Sequence, residues 1–113
     1  MRTPLALGLL AALSLLFFVA APAVSKRRSV EVDDNYFVRE GPSRTVTVKR
    51  GDRVVWEWEG MNPHNVTVRR GPVRFRSRTK TSGRYAKRMR RRGTYRIVCT
   101  IHAPAMRMRL KVE

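Results

Sequence analysis

From residue 30 to the C-terminus, apolar and polar residues alternate with a period of two, and many apolar positions hold β-branched or aromatic residues. Such alternation is typical of β-strands that bury one face, and no helical spacing interrupts it. The clearest case is the last strand, where Met106, Met108, Leu110 and Val112 share one face and charged residues the other. Short strands without helical spacers predict an all-β, antiparallel sandwich or barrel of about seven to eight strands.

The same pattern places several individual elements. We expect a hairpin over 45–58, with its turn at 49–52 and both tryptophans of the chain on its buried face. Further strands are predicted over 64–68 and 95–99. No internal repeat or second domain is evident in this part of the chain.

The first 23 residues have a different character. A short positive start precedes an almost unbroken apolar run over 5–21, and a small-residue cleavage pattern ends at residue 23. This arrangement predicts a secretory signal peptide over 1–23, followed by one domain over 24–113. The run is also about as long as the shortest spanning helices, roughly 17 residues, so a retained membrane anchor is the alternative. Either way, we expect the domain outside the cytoplasm, in the periplasm or the extracellular space.

The charge is strongly unbalanced: 25 Lys and Arg stand against 8 Asp and Glu in 113 residues, a formal net charge of +17. Twelve of the basic residues fall within positions 69–92, which contain no acid. This basic segment indicates an acidic partner attracted over long range. A solvated face, or attraction to anionic lipid or cell-wall polymer, is an equal alternative.

Metal-binding chemistry is indicated by four residues. Cys99, His102 and Met106 form a C-x2-H-x3-M pattern between the last two predicted strands, and His64 lies 35 positions before Cys99. A thiolate and two imidazoles in a near-trigonal plane, with a weak axial thioether, make up the ligand set of a blue copper site. Both histidines and the single cysteine of the chain belong to this set. No Ser-His-Asp set or paired carboxylates indicate catalysis.

The sequence resembles the cupredoxins, and most closely the plastocyanin, amicyanin and pseudoazurin group of small blue copper proteins. The resemblance covers nearly all of residues 24–113. Its motifs are the strand-turn-strand VTVKRGDRVVWEWEG at 46–60, PHNV at 63–66, GTYRIVCTIH at 93–102, and the closing strand MRMRLKVE at 106–113. The resemblance implies a Greek-key β-sandwich that holds one copper ion.

The resemblance also implies roles for individual residues. His64, Cys99 and His102 would be equatorial copper ligands and Met106 the axial one. Met108, two positions on along the same strand face, is expected to pack in the core. The Asn65 backbone N–H would approach the Cys99 sulfur, and its side chain would tie its loop to Thr100. The edge of the second histidine would reach the surface where a redox partner docks, surrounded by Ala103, Pro104 and Ala105.

These features together predict an exported carrier of single electrons, not an enzyme, that works with acidic redox partners. The high charge favours a monomer. A copper carrier or scavenger with the same ligands is the main alternative. In that case, Met106 and Met108 together would be more important for binding copper. A nucleic-acid-binding module, with Phe75 and Tyr85 stacking among arginines, is a weaker alternative, because export and the intact ligand set count against it.

Overall fold

The protein, described here as a computed structural model over residues 1–4, 6, 8, 10–19, 24–38 and 44–113, forms two four-stranded sheets. The strands are β1 (Arg27–Asp33), β2 (Tyr36–Phe37), β3 (Thr45–Val48), β4 (Arg53–Trp58), β5 (Thr67–Arg70), β6 (Arg84–Arg88), β7 (Gly93–Val98) and β8 (Arg107–Val112). The first sheet has the order β2-β1-β4-β6 and the second β3-β8-β7-β5. The predicted all-β sandwich of about eight strands is therefore confirmed.

Both sheets are mixed, whereas the sequence predicts antiparallel pairing throughout. β1 pairs with β4 in parallel, and β3 pairs with β8 in parallel; the other four pairs are antiparallel. The parallel pairs arise because the chain visits the other sheet between the two partners, and such a crossover brings it back running in the same direction. Period-two alternation is the same for both kinds of pair, so the sequence pattern does not distinguish them.

The predicted hairpin over 45–58 is wrong. β3 lies in one sheet and β4 in the other, so residues 49–52 form a corner between the sheets rather than a hairpin turn. Asp52 fixes this corner, because its carboxylate accepts hydrogen bonds from the backbone N–H groups of Lys49 and Lys26, both at 2.9 Å. The second of these contacts also holds the start of β1 against the corner.

The core lies between the sheets and is centred on Trp56, which is fully buried. Its ring lies 5.9 Å from the rings of both Phe75 and Tyr85, and its indole N–H donates to the sulfur of Met108 at 3.4 Å. Met108, Leu110 and Val112 alternate inward along β8 as predicted. Both sheets thus supply this core, with β8 contributing from one sheet and β4 from the other.

The strands predicted over 64–68 and 95–99 have different bounds in the structure, and one strand, β6, was not predicted. The strand predicted over 64–68 begins only at Thr67, and His64 forms an isolated bridge with Lys80 instead. β6 lies inside the basic segment, where the density of arginine obscures the alternation. The basic segment therefore connects β5, the edge strand of one sheet, to β6, the edge strand of the other.

The N-terminal predictions concern residues that the structure covers only in part, and the expected cleavage site lies outside the described residues. Among the residues that are described, no helix has the length and apolar character needed to cross a membrane. The signal peptide and the domain boundary at residue 23 stay predictions.

The corner at Asp52 generates a test of acid stability. The two backbone hydrogen bonds, from Lys26 and Lys49, hold the pKa of the Asp52 carboxyl below its ordinary value. A lowered folded-state pKa stabilises the fold above the unfolded-state value, about 3.9, and this contribution disappears as the pH falls through the folded-state pKa. We expect Asp52→Asn to lower the thermal midpoint at pH 7, with a difference that shrinks as the pH falls below about 4.

Thermal unfolding followed by circular dichroism between pH 2 and pH 7, roughly the range over which native carboxylates titrate, measures this difference. Glu59→Gln, the same charge change at an exposed position, is the control. A constant difference between wild type and Asp52→Asn at every pH would contradict the assignment.

Candidate metal centre

Three of the four predicted ligands, Cys99, His102 and Met106, lie on the loop between β7 and β8. Backbone hydrogen bonds close this loop tightly: His102 N–H donates to Cys99 O at 3.3 Å, Met106 N–H to His102 O at 3.1 Å, and Cys99 N–H to Met106 O at 3.1 Å. The last of these bonds continues the β7–β8 ladder by one step. The loop therefore turns His102 and Met106 back towards Cys99, the residue that directly follows β7.

The fourth predicted ligand, His64, lies on the loop between β4 and β5 and is fully buried. Its backbone N–H and C=O are both bonded to Lys80, each at 3.0 Å, and its carbonyl also accepts the indole N–H of Trp58 at 3.3 Å. The Lys80 ammonium lies 4.6 Å from the centre of the Trp58 ring. These contacts hold the loop against the end of the sandwich.

The side chains of the two loops meet in a small triangle of donor atoms. The Nδ1 atoms of His64 and His102 are 3.2 Å apart, and the Cys99 sulfur lies 3.9 Å from the first and 3.7 Å from the second. A point in the plane of these atoms lies about 2.1 Å from all three, close to the 2.0 to 2.3 Å at which imidazole nitrogen and thiolate sulfur bind a first-row metal ion. The donor set therefore fits a metal ion without rearrangement.

A carboxylate that the sequence analysis missed orients the first histidine. Asp34, in the turn between β1 and β2, has its Oδ1 3.0 Å from His64 Nε2. It also accepts the backbone N–H groups of Met61, at 3.2 Å, and Asn62, at 2.9 Å. Because an ionised carboxylate can only accept, the imidazole carries its proton on Nε2 and presents the Nδ1 lone pair to the other donors.

The position of Asp34 gives a reason for the glycine before the loop. A β-carbon at Gly60 would collide with the Asp34 carboxylate, so only glycine allows the turn to approach. The hydrogen bond from the Asn62 backbone, then that from His64, holds the pKa of Asp34 below its ordinary value, which keeps the carboxylate ionised. Asp34 is 30 positions from His64, and no local motif indicates the contact; the glycine was the one available signal.

Asn65 joins the two ligand loops. Its side-chain N–H donates to Thr100 Oγ1 at 2.7 Å, and its carbonyl oxygen accepts the Thr100 backbone N–H at 3.1 Å. The same amide is bonded to Thr79 and Thr67, at 3.1 and 2.8 Å. The approach of the Asn65 backbone N–H to the Cys99 sulfur stays a prediction.

The two methionines occupy different environments. Met106 is fully buried, and its backbone is hydrogen-bonded to both Cys99 and His102. The sulfur of Met108 accepts the indole N–H of Trp56 in the core. Met108 is thus already engaged away from the donor triangle, whereas Met106 lies on the ligand loop.

The second histidine lies at the surface end of the triangle. His102 is partly exposed, in contrast to the buried His64 and Cys99. Ile101, directly before it, is 50% exposed, and Met61, on the other ligand loop three positions before His64, is 87% exposed. Ala103, Pro104 and Ala105, which directly follow His102, are partly or fully exposed, and their role in docking stays a prediction.

Comparison with known proteins agrees with this donor set. Residues 27–113 match the family described as copper binding proteins of the plastocyanin/azurin family. A comparison with curated protein sequences found no match.

Solved structures with the same fold include several amicyanins. Amicyanin from Paracoccus versutus is 30% identical, with 82% of this chain and 85% of that chain covered and a TM-score of 0.63. A reduced amicyanin variant is 27% identical, with 77% and 82% covered and a TM-score of 0.64. A copper-containing nitrite reductase from Thermus scotoductus is 20% identical and shares the fold, with 84% of this chain but 25% of that chain covered and a TM-score of 0.62.

The contact between Asp34 and His64 generates a test at the metal centre. We expect Asp34→Ala to weaken copper binding about 10- to 100-fold, because the imidazole loses the partner that fixes its orientation and its protonated nitrogen. Asp34→Asn keeps an acceptor oxygen and should lose less. Competition with a chelator of known copper affinity measures both.

Glu57→Gln is the control for the change in net charge. It removes one carboxylate from β4, where Glu57 forms an ion pair with Arg27. Equal losses in Asp34→Ala and Glu57→Gln would show that charge, not the contact with His64, is responsible.

Proposed function

Because the chain belongs to the plastocyanin/azurin family of copper-binding proteins, we propose that it is an exported blue copper protein that carries single electrons between redox partners. The observation that carries the proposal is the triangle of one sulfur and two imidazole nitrogens with sides of 3.2, 3.7 and 3.9 Å. This is a type 1 copper donor set, and the chain binds one copper ion.

We assign His64, Cys99 and His102 as the equatorial ligands and Met106 as the axial ligand. When bound, copper supplies a one-electron couple between its cuprous and cupric states. The protein contributes a donor triangle held by the hydrogen bond that His64 donates to Asp34 and by the one that Asn65 donates to Thr100. A rigid donor set undergoes little reorganisation when the charge at its centre changes by one, which favours rapid electron transfer.

The surface end of the triangle is the proposed docking position. His102 is the one proposed equatorial donor that is partly exposed, and three small apolar residues follow it in the chain: Ala103, Pro104 and Ala105. Small side chains allow a partner to approach the imidazole edge closely and to leave quickly. The basic segment at 69–92 would attract an acidic partner over a longer range and raise the association rate in a salt-dependent way.

Burial of the site favours electron transfer over copper carriage. His64 and Cys99 are fully buried, and an incoming acceptor of copper would reach them only after the loops separate. An electron, in contrast, passes through the edge of His102 with the donors in place. We therefore expect slow exchange of copper with a chelator, and rapid exchange would favour the carrier function instead.

Copper reconstitution tests the metal centre directly. On addition of cupric ion, we expect an intense red-absorbing band from charge transfer between the Cys99 thiolate and copper. Cys99→Ser should abolish the band, because the hydroxyl is not a thiolate donor. Visible absorption and electron paramagnetic resonance of both proteins measure this.

The matched control is Thr100→Ser, a substitution one residue along that leaves every proposed ligand in place. A wild-type protein that binds copper without the intense band, or that binds none, would contradict the blue copper assignment. Mixing the reduced protein with an acidic redox protein in a stopped-flow experiment then tests electron transfer itself.

The axial assignment has its own test. Met106→Leu should keep the red band and raise the reduction potential, because loss of a thioether donor destabilises cupric more than cuprous copper. Met108→Leu should leave the potential near that of the wild type, since its sulfur is bonded to Trp56. Voltammetry of the two variants decides between them, and the reverse result would make Met108 the axial ligand.

A further inference from the structure

A row of arginines crosses the outer face of the β3-β8-β7-β5 sheet. Arg96 on β7 lies directly opposite Arg109 on β8 and opposite Arg70 on β5. Buried neighbours such as Tyr95 and Ile97 point into the core, so the arginines between them point outward. Six arginines line one groove of about 980 Å³ on this face, which we call the arginine face: Arg44, Arg69, Arg70, Arg96, Arg107 and Arg109.

The arginine face works against the stability of the sheet. Like charges directly opposite each other on neighbouring strands destabilise the pair, and this face contains two such pairs in one row. In the part of the chain that the structure describes, the ion pairs of arginine and lysine are Arg27 with Glu57 and Lys111 with Glu113. Neither involves the arginine face, so its charge is not neutralised by ion pairs within the described part of the chain.

Acidic residues are concentrated on the opposite sheet. Of those that the structure describes, only Glu113 lies on β8 or at its end, and the others belong to the strands, turns and corner of the β2-β1-β4-β6 sheet: Glu31, Asp33, Asp34, Asp52, Glu57 and Glu59. The domain is therefore electrically asymmetric. Attraction to an anionic surface would turn the arginine face towards it.

We propose that the arginine face binds the anionic phospholipids of a bilayer surface. A guanidinium group matches the oxygens of a phosphate with two parallel hydrogen bonds, and a lipid bilayer presents such phosphates as a continuous array. A protein partner would need an apolar centre within the contact. Beyond residue 24, the large exposed apolar residues that the structure describes are Met61 and Ile101, and both belong to the ligand loops instead.

The metal centre is adjacent to this face but not part of it. Arg44 donates to the carbonyl of Ala105 at 2.9 Å, and Arg107 directly follows Met106. A domain that lies on its arginine face would keep the edge of His102 near the bilayer and open at the side. In this orientation, which matters only if the proposed electron transfer is correct, the carrier would search for membrane-embedded partners in two dimensions.

Vesicle binding of the full chain tests the proposal. The probes are vesicles of mixed phosphatidylglycerol and phosphatidylcholine, and vesicles of phosphatidylcholine alone. The apolar N-terminal run would bind both kinds regardless of salt. The arginine face should add binding to the anionic vesicles alone, and this part should disappear in 1 M salt, where the Debye length is about 3 Å.

Two triple variants with equal charge change locate the binding surface. Arg70→Gln/Arg96→Gln/Arg109→Gln should lower the salt-sensitive affinity for anionic vesicles about 100-fold, at about fivefold for each cation. Arg53→Gln/Arg84→Gln/Arg90→Gln changes exposed residues on or next to the other sheet and should lower it less than about fivefold. The face variant should also unfold at the same temperature as wild type or a higher one, because the repulsion is relieved.

Equal losses in the two triple variants would overturn the proposal, since net charge alone would then explain the binding. Absence of salt-sensitive binding in the wild type would overturn it as well, and so would a face variant that loses affinity for an acidic redox protein but not for vesicles. If the triple variant does not fold, Arg96→Gln alone, at the centre of the row, should still lower the affinity about fivefold. Vesicle binding requires neither copper nor a redox partner, so its failure is distinct from that of the proposed function.

Discussion

The structure depends on bringing two separate loops to one point at the end of the sandwich. His64 lies on the β4–β5 loop and the other donors lie on the β7–β8 loop. The side-chain amide of Asn65 joins the two loops, because it donates to the Thr100 hydroxyl and accepts from the Thr100 backbone N–H. Asp34 adds a third segment, since its carboxylate holds two backbone groups and the imidazole of the first loop. Three parts of the chain far apart in sequence thus determine the relative positions of three atoms.

The rest of the fold serves this meeting point. The two sheets place the C-terminal ends of β4 and β7 at the same end of the sandwich. The last strand packs Met108 against Trp56 in the core, whereas Met106 lies on the ligand loop. The corner at Asp52 sends the chain from one sheet to the other, which is what allows both parallel pairs to form. Stability and site geometry therefore share elements and also residues, since Trp58, Cys99 and Met106 belong to the core as well as to the metal-binding end.

The class of fold and the three donor residues could be predicted from the sequence, because alternation and ligand spacing are local properties. The pairing of β3 and β4 could not, since a turn between two alternating segments has the same pattern whether the strands share a sheet or change sheets. Asp34 was missed for a similar reason: its contact with His64 depends on the turn after β1 and on the space left by Gly60. The strand β6 was hidden by a high density of arginine, which follows surface charge and not secondary structure.

The two tryptophans report on different regions of the molecule. The indole of Trp58 donates to the carbonyl of His64 and lies beside the Lys80 ammonium, whereas that of Trp56 is bonded to sulfur in the centre of the core. Tryptophan fluorescence therefore contains one emitter bonded to the ligand loop and one in the centre of the core. Replacing either with phenylalanine would separate the optical signal of the metal-binding end from that of global unfolding within a single chain.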